Sequence, residues 1–255
     1  MVLELHASMK KIILVTGGSR GIGAATARLA AQRGYAVCIN YLRNQAAANS
    51  VLQDIVAAGG TAIAVPGNVS SELDVIRLFK TVDDLLGPVT ALVNNVGVVE
   101  QQTRVENMDA ARLNRVLAVN VTGSFLCARE AIRRMSTKRG GEGGAIVNVS
   151  SVAARLGSPE EYVDYAAAKA AIDTFTVGLA KEVALEGIRV NAVLPGLVDT
   201  PIINKTGDGT KPADWLVAAL EVVPPLKPEE VAQAVLELIV DDDAYSQLKP
   251  VMAGL

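Results

Sequence analysis

Apolar residues along this chain follow two alternating rhythms. Six short runs, Ile12–Thr16, Ala36–Tyr41, Thr61–Val65, Ala91–Asn94, Ala145–Val149 and Arg189–Leu194, are apolar at consecutive positions rather than at every second one. A strand of that kind needs cover on both faces. Between the runs lie stretches with helical spacing, near Ala24–Gln32, Ala46–Ala58, Glu72–Leu86, Met108–Met135 and Tyr162–Glu186. Strands that alternate with helices predict a parallel α/β sheet with helices on both faces. No Pro/Ser-rich linker divides the chain and no repeat is visible. Residues 1–10 are expected to be an N-terminal extension, and 11–255 a single domain with ample core.

The first strand breaks into Thr16-Gly17-Gly18-Ser19-Arg20-Gly21-Ile22-Gly23, and an alanine-rich helical pattern follows at once. Strand, glycine turn and helix start form a grip for a dinucleotide pyrophosphate. Glycines admit the phosphates close to the backbone, and the unpaired N–H groups of the first helical turn hold the anion. Two rival readings share these residues. Gly18 to Gly23 has the glycine spacing of a nucleotide-triphosphate loop, but Ala24 stands where lysine is needed. Gly17-Gly18-Ser19-Arg20-Gly21 fits the G-x-S-x-G of hydrolases. That chemistry needs a histidine after the serine, and the only histidine is His6.

Composition narrows the classes further. Half of the residues are apolar and 4% are aromatic, which suits a core of Val, Ile, Leu and Ala. A net charge of −3 without basic runs gives nucleic acid no footing, and no apolar run is long enough for a membrane span. The Asp241–Asp243 triplet is expected at a solvated helix end. The start MVLELHASMKK lacks a signal-peptide pattern, and Cys38 and Cys127 are expected as buried, reduced thiols, so a cytoplasmic location is expected. One histidine and two distant cysteines predict no metal site. The stretch Gly196–Asp214 follows a strand and mixes Gly, Pro, Asp, Asn and Thr. In a doubly wound sheet it is placed to act as a substrate lid.

Tyr165-Ala-Ala-Ala-Lys169 opens a long helical pattern, and i, i+4 spacing puts phenol and ammonium on one face. A free phenol titrates near 10, and a neighbouring cation favours its ionised form. Taken alone, the pair can equally be a surface contact. Ser150-Ser151 ends an apolar strand and can be simple turn residues. Asn94-Asn95-Val96-Gly97 and Asn120 also follow apolar stretches and can be ordinary hydrogen-bonders.

Taken in order, TGGSRGIG, NNVG, Asn120, NVSS followed by YAAAK, and Pro195-Gly196 followed by Thr200 resemble the short-chain dehydrogenase/reductase family from Lys11 to about Val240. The stretch from Ser158 to Gly196 looks close to bacterial sugar dehydrogenases and 3-oxoacyl-carrier-protein reductases of that family. The resemblance implies one Rossmann-type doubly wound sheet and an oxidoreductase that passes a hydride between a nicotinamide and a carbonyl or secondary alcohol. It implies Tyr165 as general acid or base and Lys169 as the group that lowers its pKa and binds the ribose. It further implies Ser151 on the substrate oxygen and Asn120 holding a relay water. Implied cofactor contacts are Gly17, Ser19, Arg20, Gly21, Ile22 and Gly23 in the first loop, Tyr41 and Arg43 after the second strand, and Asn68 and Val69 at the adenine. Asn95, Gly97, Tyr165, Lys169, Pro195, Gly196, Val198 and Thr200 complete the set. A catalytically silent dinucleotide-binding protein of the same fold is the alternative reading.

Several positions depart from the family pattern. Ser151 and Tyr165 are 14 positions apart, one more than is common, which predicts a bulged loop. Val96 replaces an alanine, and Asn68 replaces an aspartate that accepts from the adenine amine. The stretch Val223–Glu230 looks shortened, and Tyr245–Leu255 lacks the family's Thr-Gly. The resemblance implies a last strand and a homotetramer, or a dimer where this unusual C-terminus spoils one interface. The acidic position that favours NAD is filled by Tyr41, while Arg20 and Arg43 can attract a 2′-phosphate, so NADP is expected over NAD. The substrate itself would be chosen by Val98–Arg104 and Gly196–Asp214.

Overall fold

A computed structural model describes residues 11–200 and 224–252. The extension 1–10 and residues 201–214 of the expected lid lie outside the described residues. Seven parallel strands form one sheet in the order β3-β2-β1-β4-β5-β6-β7. They are β1 (Ile12–Val15), β2 (Ala36–Tyr41), β3 (Ala62–Pro66), β4 (Ala91–Asn94), β5 (Gly144–Val149), β6 (Ile188–Pro195) and β7 (Leu248–Val251). The expected doubly wound sheet is thus observed.

Period-2 alternation divides the core in two. Ile13, Val15, Val37, Ile39, Val93 and Val147 point to one face, where α1 (Gly21–Gln32), α2 (Gln45–Ala57) and α8 (Pro228–Val240) cover them. Ile12, Leu14, Cys38, Leu92, Ile146 and Val190 point to the other, under α3 (Glu72–Leu85), α5 (Gly123–Met135) and α7 (Val163–Val183). Cover on both faces is why the strand runs are continuously apolar. Both cysteines are buried, and burial pushes both thiols up, Cys127 to about 12. Among the described residues, no helix is long and apolar enough to cross a membrane.

Three local features go beyond the sequence reading. The helix expected over Met108–Met135 is α4 (Ala110–Leu117), a π turn at Ala118–Thr122 and then α5. Helix α8 buries a wide face, including Val231, Ala232, Val235, Leu236 and Ile239, leaves an exposed stripe at Glu230, Gln233 and Glu237, and ends at Asp241, the first of the solvated triplet expected to close a helix. Glu230 accepts the Lys227 N–H at 2.7 Å and Pro228 opens the helix, so the start is well set. The last strand does form despite the missing Thr-Gly. It lies at the sheet edge, where Pro250 is tolerated, and Asn191 on β6 secures the approach by accepting from Gln247 N at 2.8 Å and donating to Ala244 O at 2.7 Å. Arg189, buried on the same strand, donates to the final carbonyls of α8 at Leu238 (2.8 Å) and Ile239 (2.6 Å).

From β1 the chain winds outward through β2 and β3, then returns to place β4 on the other side of β1. The crevice between β1 and β4 is therefore the topological switch point, and loops after both strands meet at its carboxyl end.

Candidate active site

The glycine loop is built around Thr16. Its hydroxyl donates to Val93 O at 3.2 Å and accepts from the N–H groups of Asn95 (2.9 Å) and Val96 (3.2 Å), so the loops after β1 and β4 are tied together. Gly17 and Gly21 sit at φ +62 and +52, which side chains rarely adopt. A Cβ on Gly23 would lie 2.4 Å from the Gly17 carbonyl oxygen. The loop is thus as tight as backbone allows. Helix α1 begins with no side-chain cap and no acidic residue in its first turn. Its first N–H groups and positive dipole end are open to an anion, which fits a pyrophosphate. Thr200 packs on Gly21, its Cγ2 within 3.1 Å of where a Cβ would stand, so Pro195–Thr200 flanks the same loop. Val198 and Asp199 are tied to Leu226 by main-chain bonding.

Two asparagines of the expected set are engaged in scaffolding. Asn95 Nδ2 donates to Thr16 O (2.9 Å) and Gly17 O (3.3 Å). Asn120, in the π turn, accepts from Val98 N (2.8 Å) and donates to Val98 O (2.9 Å). Its amide therefore pins the start of the Val98–Arg104 loop. Single π turns inside helices recur at functional sites. Asn68 Oδ1 already accepts from Ser70 N (3.1 Å) and Ser70 Oγ (2.8 Å). The oxygen expected to accept from an adenine amine is in use, which leaves the Nδ2 donors on that side chain.

At the carboxyl ends of β5 and β6 the reactive side chains meet. Lys169 is buried, and its Nζ donates to Val149 O at 2.7 Å while lying 5.6 Å from the centroid of the Tyr165 ring. Gly97 makes room for this: a Cβ there would stand 3.4 Å from both Lys169 Nζ and Asn120 Oδ1. Tyr165 is half-buried and hydrogen-bonded to Ser151, whose Oγ also accepts from Ala153 N at 3.1 Å. Ser150 faces away and donates to Lys169 O at 3.2 Å. Helical spacing and strand ends thus bring Ser151, Tyr165, Lys169 and Asn120 to one crevice.

The electrostatics differ from the expectation that Lys169 lowers the tyrosine. Burial pushes Tyr165 up to about 12, opposed by the Ser151 hydrogen bond. The same desolvation brings Lys169 down to about 8, opposed by the Asp173 carboxylate one helical turn on. Desolvation of the two groups outweighs the attraction between phenolate and ammonium. Asp173 is raised by burial, and its Oδ1 is a buried oxygen without a hydrogen-bond partner.

At the cofactor's outer edge, Tyr41 is buried against the α1–α2 side of the core, whereas Arg20 and Arg43 are exposed. Among the described residues neither arginine has a carboxylate partner, and Asp54 is paired with Arg28 at 2.7 Å. Between Ser151 and Tyr165 the chain forms a short helix, α6 (Ala153–Leu156), and then a loop in which Ser158 and Glu160 adopt φ +44 and +64. An open cleft of about 490 Å³ runs along the β3 edge between Leu42, Ile63, Leu78 and Leu85. It borders Asn68, and no member of the Tyr165 group lines it.

Sequence reading missed Arg112 and Asp164, which form a buried ion pair at 2.7 Å beside Tyr165. They stand 52 positions apart, and no local pattern joins them.

Comparisons with known proteins bear on the family and the fold. The family model described as short chain dehydrogenase matches residues 11–211. An uncharacterized oxidoreductase of Escherichia coli (strain K12), YgfF, is 52% identical over 234 residues, covering 92% of this chain and 94% of that protein. A 3-oxoacyl-[acyl-carrier-protein] reductase of Synechocystis is 37% identical over 234 residues, covering 92% and 91%. Among solved structures, a short chain dehydrogenase from Burkholderia cenocepacia in complex with NADP superposes with a TM-score of 0.85 at 30% identity, covering 96% of this chain and 97% of that one. Fold, ordered motifs and extensive identity together make this chain a member of the short-chain dehydrogenase/reductase family of oxidoreductases.

Proposed function

We propose that the protein transfers a hydride between NADP(H) and a carbonyl or secondary alcohol, with Tyr165 as general acid or base. The observation that carries this reading is the Ser151–Tyr165–Lys169 group, set beside the open start of α1 at the switch-point crevice. When bound, the nicotinamide supplies or accepts the hydride. Tyr165 holds the proton at its phenol oxygen and gives it to the carbonyl oxygen in reduction. Burial favours the protonated phenol, so Tyr165 enters reduction holding its proton, and the Ser151 hydrogen bond and the Lys169 ammonium work against that upward push when the proton leaves. Ser151 donates its hydroxyl to the same substrate oxygen. Lys169 lies behind the phenol, where its ammonium opposes the negative charge left after proton transfer and reaches ribose hydroxyls. The Asn120 amide is occupied by Val98, and its main-chain carbonyl accepts from Ser124 Oγ at 3.3 Å, so a relay water would share that carbonyl with the serine.

Preference for NADP rests on Tyr41 in place of an acid and on Arg20 and Arg43, two exposed cations with forked donors for a 2′-phosphate. The NADP held by the Burkholderia structure supports the same choice. The protein is proposed to act in the cytoplasm as a homotetramer. Phe125, 48% exposed on α5, stacks on Phe175 of α7 at 3.8 Å, an apolar face that a second copy can cover.

The test is to mix purified protein with NADPH or NADH and a panel of ketones and 3-oxoacyl thioesters, following the nicotinamide absorbance. Tyr165→Phe should lower turnover by about 10²–10⁴-fold, the usual worth of a positioned acid, while cofactor binding persists. Near-normal turnover in that variant would overturn the assignment.

A further inference from the structure

The first turn of α7 presents the phenol, and what anchors that turn is a pair of charges outside every motif. Asp164 immediately precedes Tyr165. Its side chain is 2% exposed, and that of Arg112 on α4 is 10% exposed. The guanidinium meets the carboxylate as a fork, Nε to Oδ2 at 2.7 Å and Nη2 to Oδ1 at 3.2 Å. Oδ1 also accepts the main-chain N–H of Tyr165 at 2.9 Å. The remaining guanidinium nitrogen, Nη1, donates to the Gln101 carbonyl. Arg112 is itself held at its backbone, where Asp109 accepts its N–H at 2.7 Å and caps α4.

A buried ion pair is a poor device for stability alone. Two charges lose their hydration, and apolar residues of similar volume commonly do as well or better. What a forked pair adds is geometry, because two parallel bonds fix both distance and angle. Here the fork joins two parts of the candidate site. Gln101 lies within Val98–Arg104, whose ends are tied by Asn120 at Val98 and by Thr103 N donating to Glu161 O at 3.1 Å. One guanidinium therefore connects the loop beside the substrate to the turn that carries the phenol.

We propose that Arg112 and Asp164 are positioning residues for catalysis, which set the reach of Tyr165 toward Ser151 and hold the Val98–Arg104 loop in register with it. This rests on the reading of Tyr165 as the acid or base. The pair touches neither the glycine loop nor the Arg20/Arg43 edge, so its effect falls on turnover rather than on cofactor binding.

The experiment compares Arg112→Lys, Asp164→Asn and the double variant Arg112→Met/Asp164→Leu with the wild type, using kcat, KM, NADPH affinity by fluorescence and Tm. The double variant removes both charges and should fold with Tm within a few degrees. Its kcat should fall by about 10–100-fold, the scale expected when a reacting group is misplaced by about 1 Å, with NADPH affinity within about twofold. Arg112→Lys, which keeps the charge without the fork, should recover part of kcat. Wild-type kcat in the double variant overturns the proposal. So does a parallel fall of kcat, NADPH affinity and Tm, which would mean a merely structural pair. If neither the double variant nor Asp164→Asn folds, the pair is a folding element and the proposal fails. Tyr165→Phe separates the levels: if it is inactive while the pair variants are fully active, only the positioning role is lost. If Tyr165→Phe is itself active, the reading beneath it falls first.

Discussion

Replacing Lys169 by methionine should change how the protein's stability responds to alkali. An ammonium ordinarily titrates near 10.5, and burial brings this one down to about 8, against the pull of Asp173. Between those values the unfolded chain binds the proton and the folded protein does not. Stability from this group is therefore lowest at pH 7 and rises as pH passes from 8 toward 10.5. At about 1.4 kcal/mol per pH unit, the interval corresponds to about 3 kcal/mol. Other groups act in the opposite sense nearby. Burial raises both thiols, so above about 9 the unfolded chain loses those protons first and stability falls. Tyr162 and Tyr165, each held up at about 12, do the same above 10. All four groups remain in Lys169→Met, so the difference between the two proteins isolates the lysine. At pH 7 the variant is relieved of a buried charge, but it strands the Val149 carbonyl that Nζ met at 2.7 Å. That loss is about 1–3 kcal/mol and leaves the two proteins close. By pH 10 the wild type should have gained most of about 3 kcal/mol relative to the variant. Urea unfolding followed by circular dichroism under reducing conditions, at pH 7, 8.5 and 10, measures it. Parallel profiles, with a difference constant to about 0.5 kcal/mol, would refute the claim that Lys169 is held as a desolvated cation.

Gly23→Ala should lower both Tm and cofactor affinity, because the new Cβ would stand 2.4 Å from the Gly17 carbonyl and 2.6 Å from Asn95 Nδ2. The gain in helix propensity of about 1 kcal/mol is too small to offset an overlap with backbone, and an unchanged Tm would contradict that geometry. Arg43→Ala should reduce the kcat/KM ratio of NADPH to NADH, checked with one substrate; a wild-type ratio that favours NADH would mean the outer edge has been misread. Arg189→Met should destabilise by about 1–3 kcal/mol, since the Leu238 and Ile239 carbonyls at the end of α8 lose their donors, with turnover at low temperature retained; equal chemical stability would sink the capping role. Light scattering at micromolar concentration tests the proposed tetramer, and a stable monomer would exclude it.

What the sequence determined by itself was whatever rests on short range. Continuous apolar runs specify strands covered on both faces, and six of the seven were legible for that reason. The strand-glycine-helix order located the open start of α1, and i, i+4 spacing placed Tyr165 and Lys169 on one side of α7. Tertiary structure decided the rest, because the deciding partners are remote in the chain. The π turn at Asn120 interrupts an unbroken helical pattern, and its amide is engaged by Val98, 22 positions away. Strand β7 exists through its pairing with β6 and through Asn191, not through any strong pattern of its own. Arg112 finds Asp164 only when α4 packs on α7. The upward displacement of Tyr165 was illegible for the same reason. A neighbouring lysine is visible in the sequence, whereas the loss of water around both groups is a property of the packed site, and here desolvation outweighs the charge.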